Sequence, residues 1–250
     1  DHWKSLELLK KEYLKKTKVM CLIHSKEINH EINSSLNKRL IKSLDKADFI
    51  VSNSNFTKNL AIRAGVNRSK VNIIFPGIQK PKIVKDLFKI EAQNIFKEAF
   101  PKIITVARLD ARKGHDKILM LIKNLKPRFP KIKYVSIGSG KEKNNLQKLT
   151  KELSITNDVT FLENLDENLK LSLISQSNLF LMPSRIEGKS VEGFGISFLE
   201  AASYGVASIG GKDGGESDAI MHNKTGLICD GNDLNSIYES VINLLNDNKF

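Results

Sequence analysis

The sequence has few cysteines, few aromatic residues and no long apolar run. Its two cysteines, Cys21 and Cys229, are far apart, and both lie in apolar surroundings. This pattern predicts buried thiols of a reducing compartment rather than a disulfide or a metal pair. No apolar run is long enough for a transmembrane helix, and residues 1–18 are lysine-rich without the apolar centre of a signal peptide. We therefore expect a cytoplasmic protein.

Patterns that bind metals are also missing. The five histidines are scattered without the spacing of metal ligands, and the sequence has no Asp-x-Asp pair. Because divalent cations in phosphate sites are usually held by carboxylates, this absence disfavours a metal-bound diphosphate. We expect no metal site and no cofactor.

Acidic residues are outnumbered by basic ones, 28 against 40, and the formal net charge is +12. The simplest interpretation is a solvated lysine-rich surface. The alternative is attraction to anionic partners such as nucleotides or an acidic membrane face, so peripheral association with the inner membrane surface stays open. No nucleic acid partner is expected, because Phe, Trp and Tyr make up only 7% of the sequence and do not alternate with the lysines.

Short apolar runs alternate with helical patterns along the chain. Helical spacing predicts helices at 3–16, 32–44 and 54–65, the last with Ser54 as its N-cap. This alternation predicts an α/β fold with parallel sheets that are covered on both faces. Strands are predicted at 19–23, 49–51, 71–75, 102–106, 132–137, 158–162, 178–182, 206–209 and 226–228.

The composition changes between residues 76 and 100, where two prolines precede a lysine-rich helical stretch. We expect a partial N-terminal Rossmann-like lobe at 1–80, an interlobe connection at 81–101 and a C-terminal Rossmann-like lobe at 102–250. The sequence begins with Asp1 and ends at Phe250 inside a helical pattern, so a fragment with a truncated N-terminal lobe is expected. Ligands of such sheets bind at the carboxyl ends of the strands.

Two loops of the second lobe follow predicted strands and carry residues suited to an anionic ligand. Arg108 and Lys113 follow the strand at 102–106, where a diphosphate would gain charge-assisted hydrogen bonds. Gly138 follows the next strand, and it would allow either close approach of a ligand or a tight turn. As a dinucleotide fingerprint this loop is weak, because Lys143 occupies the position of the third glycine.

The segment from Glu192 to Glu200 is the most informative part of the chain. Its two carboxylates are eight positions apart, and a Gly-Phe-Gly turn, Gly193 to Gly195, separates the first from a predicted helix. Eight helical residues rise roughly 12 Å, about the span from the sugar to the ribose of a nucleotide diphosphate sugar. The uncapped N–H groups at the start of the helix would form an anion site.

Two further features leave alternatives open. His24 ends the first strand, where it could contact a sugar or an acceptor across an interlobe cleft, or could serve only the structure. The glycine pairs at 210–211 and 214–215 indicate either a loop pressed against a ligand or the opposite lobe, or a mobile connector.

These residues together resemble the retaining glycosyltransferases of family 4, which have the GT-B fold. The family's E-x7-E motif matches Glu192 and Glu200, and its Arg and Lys after the first strand of the C-terminal lobe match Arg108 and Lys113. The resemblance extends over nearly the whole chain. It also includes Asn53-Ser54, the Phe-Pro-Gly-Ile at 75–78, the Pro-Ser-Arg at 183–185 and the Leu-Glu-Ala at 199–201.

The resemblance implies that the C-terminal lobe binds a nucleotide diphosphate sugar. In that case Arg108 and Lys113 hold the diphosphate and Glu200 holds the ribose. Glu192 and the backbone of Gly193, Phe194, Gly195 and Ile196 contact the sugar, and His24 lies near the reacting centre. The implied reaction is transfer of a hexose, with retention of configuration, to a lipid-linked or polysaccharide acceptor.

Three rival functions are compatible with parts of the pattern. A sugar-phosphate or sucrose-type synthase could have the same architecture, and a non-catalytic module could bind nucleotide sugars without transferring them. A Rossmann-type dehydrogenase could use the Gly-Ser-Gly turn at 138–140, although the missing third glycine disfavours NAD binding.

Overall fold

The computed structural model describes residues 2–14 and 16–246, which form two α/β lobes. Its strands are β1 (Met20–Ile23), β2 (Phe49–Ser52), β3 (Val71–Ile73), β4 (Lys102–Val106), β5 (Lys133–Ile137), β6 (Val159–Leu162), β7 (Leu179–Met182), β8 (Ala207–Gly211) and β9 (Gly226–Cys229). Each lies within two residues of its predicted bounds. The predicted α/β class is confirmed.

The helices are α1 (His2–Ser5), α2 (Lys11–Leu14), α3 (Ser35–Leu44), α4 (Asn55–Arg63), α5 (Asp86–Phe96), α6 (His115–Leu125), α7 (Lys143–Glu152), α8 (Glu167–Ser175), α9 (Ile196–Ser203), α10 (Glu216–Ala219) and α11 (Leu234–Asn246). Short 3₁₀ turns lie at Leu6–Leu8, Arg68–Lys70, Ala111–Lys113 and Thr156–Asp158. Among the described residues, no helix combines the length and the apolar character needed to cross a membrane.

Both sheets are parallel throughout the described residues. The first lobe has the strand order β1-β2-β3, and the second has β6-β5-β4-β7-β8-β9. In the second sheet the chain moves outward in one direction from β4 through β5 to β6, then returns to the other side of β4 at β7. Ligands of open α/β sheets bind above the carboxyl ends of the strands where the order reverses. The loops that follow β4 and β7 are therefore expected to form the site.

The second sheet is covered on both faces because neighbouring strand residues point to opposite sides. Ile103 packs against α6 and α11, whereas Ile104 packs on the opposite face, towards α5, α8 and α9. Helix α5 lies in the predicted interlobe connection, yet its Ala92 and Phe96 are buried in the core of the second lobe. The domain boundaries stay a prediction. The packing of Ala92 and Phe96 places α5 with the second sheet.

Two expectations for the first lobe were wrong. The predicted single helix at 3–16 is divided, because Leu9 is extended between the turn at Leu6–Leu8 and α2. Trp3 and Leu6 are buried in the first core, whereas Tyr13 is 56% exposed, so packing does not require one continuous helical face. The first sheet is also not covered on both faces, since the outward side chains Met20, Leu22 and Phe49 are exposed among the described residues. Cys21 and Cys229 are free and buried as predicted.

Candidate active site

A cleft of about 300 Å³ lies where the two lobes meet, above the carboxyl ends of β1, β4 and β7. The first lobe contributes residues that follow β1 and β2, and the second contributes the loops after β4 and β7. Eight predicted site residues line this cleft: His24, Arg108, Lys113, Glu192, Gly193, Phe194, Gly195 and Ile196. Gly138 and Glu200 are not among its lining residues.

The loop after β4 brings three cations to the cleft. A 3₁₀ turn at Ala111–Lys113, closed by Gly114 in the left-handed conformation, turns Arg112 and Lys113 inward. Both of these side chains are almost fully buried. Arg108 is different, because its side chain is 67% exposed. Its Nη2 lies 3.2 Å from Asp110 Oδ2. Arg108 therefore offers a charge at the rim of the cleft, and the other two supply positive charge in its wall.

Glu192 lies between the two buried cations. The Lys113 ammonium donates a hydrogen bond to Glu192 Oε2, and Arg112 Nη1 donates to the same oxygen at 2.7 Å. Burial alone would raise the pKa of Glu192, but the charges of Lys113 and Arg112 outweigh it and lower the pKa to about 2. Burial lowers the pKa of Lys113, and Glu192 opposes that effect. The cluster has two cations and one carboxylate and therefore an excess positive charge facing the cleft.

The glycine-rich loop after β8 holds Glu192 in place. Gly215 N donates to Glu192 O at 2.9 Å, and a Cβ added at Gly214 would lie 2.5 Å from the same carbonyl oxygen. A Cβ at Gly215 would collide with the carbonyl oxygen of Gly193. Gly214 and Gly215 thus support the Glu192 loop of their own lobe rather than pressing against the opposite lobe, and contact of the glycine pairs with a ligand stays a prediction.

Helix α9 points its start at the cleft. It begins at Ile196, after Gly195 in the left-handed conformation (φ 92°), and Ile196 and Ser197 line the cleft. The N–H groups of a first helical turn have no partners inside the helix, and the helix dipole favours an anion there. The expected span of eight helical residues was wrong, because Glu192 lies four residues before the helix begins.

Contacts between the lobes fix the other wall of the cleft. Ser25 Oγ donates to Val191 O at 2.9 Å, and a Cβ added at Gly193 would lie 3.1 Å from Ser25 Oγ. Phe194 is buried, with its ring 6.0 Å from that of Phe75, and it lines the cleft. His24 follows β1 and lines the cleft opposite the second lobe.

Glu200 lies on α9 but borders a separate cavity of about 330 Å³, which is also lined by residues 78–82, Glu167 and Tyr204. Glu200 Oε1 accepts a hydrogen bond from Lys170 Nζ at 3.0 Å. Because α9 rises about 1.5 Å per residue, Glu200 is roughly 6 Å along the helix from Ile196 at the cleft. Among the described residues, Glu192 and Glu200 therefore border two different cavities, which are joined by this helix.

Gly138 serves the packing of the second lobe. A Cβ added there would collide with the carbonyl oxygen of Ala107, and Gly138 N donates to Leu162 O at 2.8 Å. These contacts account for a glycine at position 138 without requiring a bound ligand.

Sequence reasoning missed Arg112 and Glu216. Arg112 is adjacent to Lys113 in the basic loop after β4. A positive charge in a loop at the carboxyl end of a strand is the sequence feature that could have identified it. Glu216 is fully buried at the start of α10, and neither of its carboxylate oxygens has a hydrogen-bond partner among the described residues. Burial and the nearby charge of Glu192 raise the pKa of Glu216 to about 8.

Replacing Glu216 with Gln is expected to change how stability depends on pH. An unfolded glutamate ionises near pH 4.5, whereas the folded one stays protonated until about pH 8. The folded chain therefore binds the extra proton over this range, and the free energy of unfolding falls as pH rises from 4.5 to 8. Urea denaturation should show that the stability of Glu216→Gln relative to the wild-type protein rises by up to about 4–5 kcal/mol between pH 4.5 and pH 8, since one pKa unit corresponds to about 1.4 kcal/mol. A difference that is the same at both ends of this range would refute the assignment.

A sequence model of the family described as Glycosyl transferases group 1 matches residues 86–250, which is more than half of the chain. The curated relatives include a GDP-mannose-dependent alpha-(1-6)-phosphatidylinositol monomannoside mannosyltransferase of Mycobacterium tuberculosis H37Rv. It is 26% identical over 235 residues, which cover 92% of this chain and 61% of that protein. The chain thus spans about three fifths of the length of this relative.

Solved structures share the fold. The HepE protein of Anabaena, in complex with UDP, superposes with a TM-score of 0.81 at 16% identity, covering 94% of this chain and 65% of that one. Sucrose-phosphate synthase of Thermosynechococcus elongatus gives a TM-score of 0.79 at 19% identity, covering 98% and 63%. At these identities the likeness establishes the GT-B fold.

Proposed function

The chain belongs to the glycosyl transferases group 1 family, and on that premise we propose that it is the donor-binding part of a retaining hexosyltransferase that uses a nucleotide diphosphate sugar. One observation carries this proposal. A buried cluster of two cations and one carboxylate faces the N-terminus of α9 across one cleft. A negatively charged diphosphate would be attracted to the cations and to the start of the helix, and the attached sugar would offer hydroxyl groups to the carboxylate.

The diphosphate would be bound from two sides. Lys113 in the wall and Arg108 at the rim supply charge-assisted hydrogen bonds, and the first turn of α9 supplies N–H groups on the other side. The same groups stabilise the negative charge that develops on the leaving diphosphate, which is expected to be the main catalytic term. Glu192 accepts hydrogen bonds from sugar hydroxyls, and His24 lies on the acceptor side of the sugar.

The proposed reaction is the transfer with retention that the family resemblance implies. The bond from the anomeric carbon to the diphosphate oxygen breaks, and a bond from that carbon to the acceptor oxygen forms on the same face. The acceptor hydroxyl gives its proton to an oxygen of the leaving diphosphate. The chain's own groups hold the diphosphate and orient the sugar during this exchange.

Glu200 is proposed to hold the ribose. The distance of about one helical turn between the cleft and Glu200 is suited to a nucleotide that extends from its diphosphate along α9. Lys170 holds the carboxylate at 3.0 Å, so ribose hydroxyls would approach a carboxylate whose position is already fixed. No metal ion and no cofactor are required in this scheme.

Similar proteins suggest the class of molecule that accepts the sugar. The mannosyltransferase of M. tuberculosis acts, by its name, on a phosphatidylinositol monomannoside. We propose a lipid-linked or polysaccharide acceptor for the whole protein to which this chain corresponds, in the cytoplasm.

Titration calorimetry of the full-length protein against UDP-, GDP- and ADP-sugars tests the donor assignment. One nucleotide sugar should bind, and Glu200→Ala should weaken its binding about tenfold or more through the loss of hydrogen bonds to a charged group. Glu167→Ala is the matched control, because Glu167 borders the same cavity, also contacts Lys170 and lies on α8. Equal affinities of the two variants would contradict the ribose role.

Incubating the same protein with its donor and candidate acceptors separates the rival functions. Transfer to a lipid or glycan supports the proposal, whereas transfer to a sugar phosphate identifies a synthase of the same fold. Binding without transfer or donor hydrolysis identifies a non-catalytic module.

A further inference from the structure

We propose that Glu216, an acid behind the wall of the cleft, controls how strongly the cleft attracts a nucleotide diphosphate sugar. It acts through the charge that it adds to the cluster of Lys113, Arg112 and Glu192, or withholds from it. This role rests on the proposed function, because the ligand whose affinity it controls is the donor. Glu216 does not line the cleft, so it is a positioning residue that acts through its neighbours.

Glu216 lies directly behind the Glu192 loop. It begins α10, just after the glycine pair at 214–215 that supports this loop. A Cβ added at Gly214 would lie 2.5 Å from Glu192 O and also 2.5 Å from Glu216 Oε2. A Cβ added at Gly210 would lie 3.2 Å from Glu216 Cβ. The glycines at 210 and 214 therefore leave the space in which this carboxyl group lies next to the site.

The carboxyl group of Glu216 is enclosed without a hydrogen-bond partner. The residue is fully buried, and neither oxygen has a partner among the described residues. Buried polar atoms usually have partners, because burying them without one is costly. The Lys113 ammonium, whose charge acts on Glu216, donates instead to Glu192 Oε2 and contacts Met182 Sδ at 3.4 Å. Packing and hydrogen bonding therefore do not explain an acid at this position, whereas a role for its charge does.

Groups from several elements of the second lobe face Glu216. They are Lys113 from the loop after β4, Glu192 and the Ser184 hydroxyl from the loop after β7, and the Cys229 thiol from β9. Asp218, on α10 itself, is turned towards the first lobe, where its Oδ2 accepts a hydrogen bond from Asn55 N at 2.7 Å. The charged neighbours of Glu216 are therefore the same ion pair that forms the wall of the cleft.

These surroundings keep Glu216 uncharged at neutral pH. Burial and the negative charge of Glu192 raise the pKa of Glu216 to about 8, and the charge of Lys113 opposes this effect. Burial raises the pKa of the Cys229 thiol to about 12, so this thiol stays neutral over the same range. Glu216 is therefore protonated at pH 7 and becomes ionised as pH rises through about 8.

The protonation of Glu216 decides the net charge behind the cleft. While Glu216 is neutral, Lys113 and Arg112 outweigh Glu192 by one positive charge. Once it is ionised, two carboxylates balance the two cations, and the excess charge that attracts a diphosphate is gone. Charges in a buried wall interact through a low effective dielectric, so the change reaches a ligand in the cleft. Donor affinity is therefore expected to fall as pH rises through about 8.

Donor binding acts on Glu216 in return, because coupling between two binding events is reciprocal. Phosphate charge beside Lys113 disfavours ionisation of Glu216, raises its pKa and makes the protein take up a proton. If the pKa rises by about one further unit, the Kd of the donor is about threefold larger at pH 8.5 than at pH 7. About half a proton is then taken up for each donor bound near pH 8.5.

Titration calorimetry of the full-length protein with its nucleotide sugar tests this role. Experiments at pH 7 and pH 8.5, in buffers of different ionisation enthalpy, measure both Kd and proton uptake. Glu216→Gln is uncharged at every pH, so its Kd should be the same at both pH values and its proton uptake should be lost. Glu187→Gln, which changes an exposed glutamate of the Glu192 loop, is the matched control and should behave as the wild-type protein does.

Lys113 is the other group that could take up the proton, since burial lowers its pKa. Proton uptake that persists in a folded Glu216→Gln variant would assign the titration to Lys113 and would overturn the proposal. A measurement on the wild-type protein avoids any dependence on how the variant folds. Carbon-13 NMR of protein labelled at its glutamate carboxyl carbons should show one signal that titrates near pH 8, and near pH 9 with saturating donor. If no glutamate signal titrates above pH 7, the proposal is wrong.

Failure of this role and failure of the transferase assignment give different results. A nucleotide sugar that binds the wild-type protein at pH 7 and pH 8.5 with equal affinity, and without proton uptake, removes the role of Glu216 and leaves the donor site in place. If no nucleotide sugar binds at pH 7, the donor assignment fails and the role of Glu216 fails with it.

Discussion

Glu192→Gln is expected to lower kcat/KM for sugar transfer by about 100-fold or more in the full-length protein. The amide keeps the size of the side chain but leaves Lys113 and Arg112 buried without a negative partner. It also loses the charged acceptor for sugar hydroxyls, and sites built around such hydrogen bonds discriminate strongly. Steady-state kinetics with the donor identified by calorimetry would measure the effect.

Folding has to be controlled in this experiment, because breaking a buried ion pair costs about 3–5 kcal/mol. The pKa of Glu192 is lowered to about 2, so its contribution to stability is present above pH 4.5 and is lost as pH falls towards 2. The free energy of unfolding of Glu192→Gln should therefore depend less on pH over this range. Glu187→Gln, in the same loop and exposed, is the control. A well-folded Glu192→Gln variant with wild-type kcat/KM would remove Glu192 from the site.

Lys113→Gln is expected to raise the Kd of the nucleoside diphosphate by roughly 10–100-fold. A buried ammonium interacts with an anion through a low effective dielectric, so its charge counts for more than that of an exposed lysine. Arg108→Ala should have a smaller effect and one more sensitive to salt, because Arg108 is exposed at the rim. Calorimetric titrations at low and high ionic strength would separate the two contributions.

Lys123→Gln serves as the control for Lys113→Gln, since Lys123 lies on α6, away from the residues that line the cleft. Its affinity should equal that of the wild-type protein. If Lys113→Gln binds the diphosphate with unchanged affinity while remaining folded, the ammonium takes part only in the ion pair with Glu192.

The sheets were predictable because parallel strands that are buried on both faces appear as continuous apolar runs. Leu179–Met182 is such a run, and all four of its side chains are buried. The first helix was not predictable in the same way, since Trp3 and Leu6 have helical spacing but only a short part of the segment packs on the first sheet. Whether Leu9 continues a helix depends on contacts that the local sequence does not contain.

The site was predictable where chemistry and spacing were visible together. Arg108, Lys113 and Glu192 are charged residues that follow strands or precede a glycine turn, and they line one cleft. Glu216 was missed, because nothing in its local sequence indicates that it is fully buried beneath the Glu192 loop. Glu200 was expected eight helical residues after Glu192, but α9 begins only at Ile196, and Glu200 borders a different cavity from Glu192.

The central claim is that a diphosphate lies between the basic loop after β4 and the N-terminus of α9. A crystal structure of the full-length protein with a bound nucleoside diphosphate tests it most directly. The account predicts phosphate oxygens about 2.7–3.2 Å from Lys113 Nζ and from backbone N–H groups of Ile196 or Ser197. A nucleotide bound with its phosphates outside this cleft, and in contact with neither group, would contradict the account.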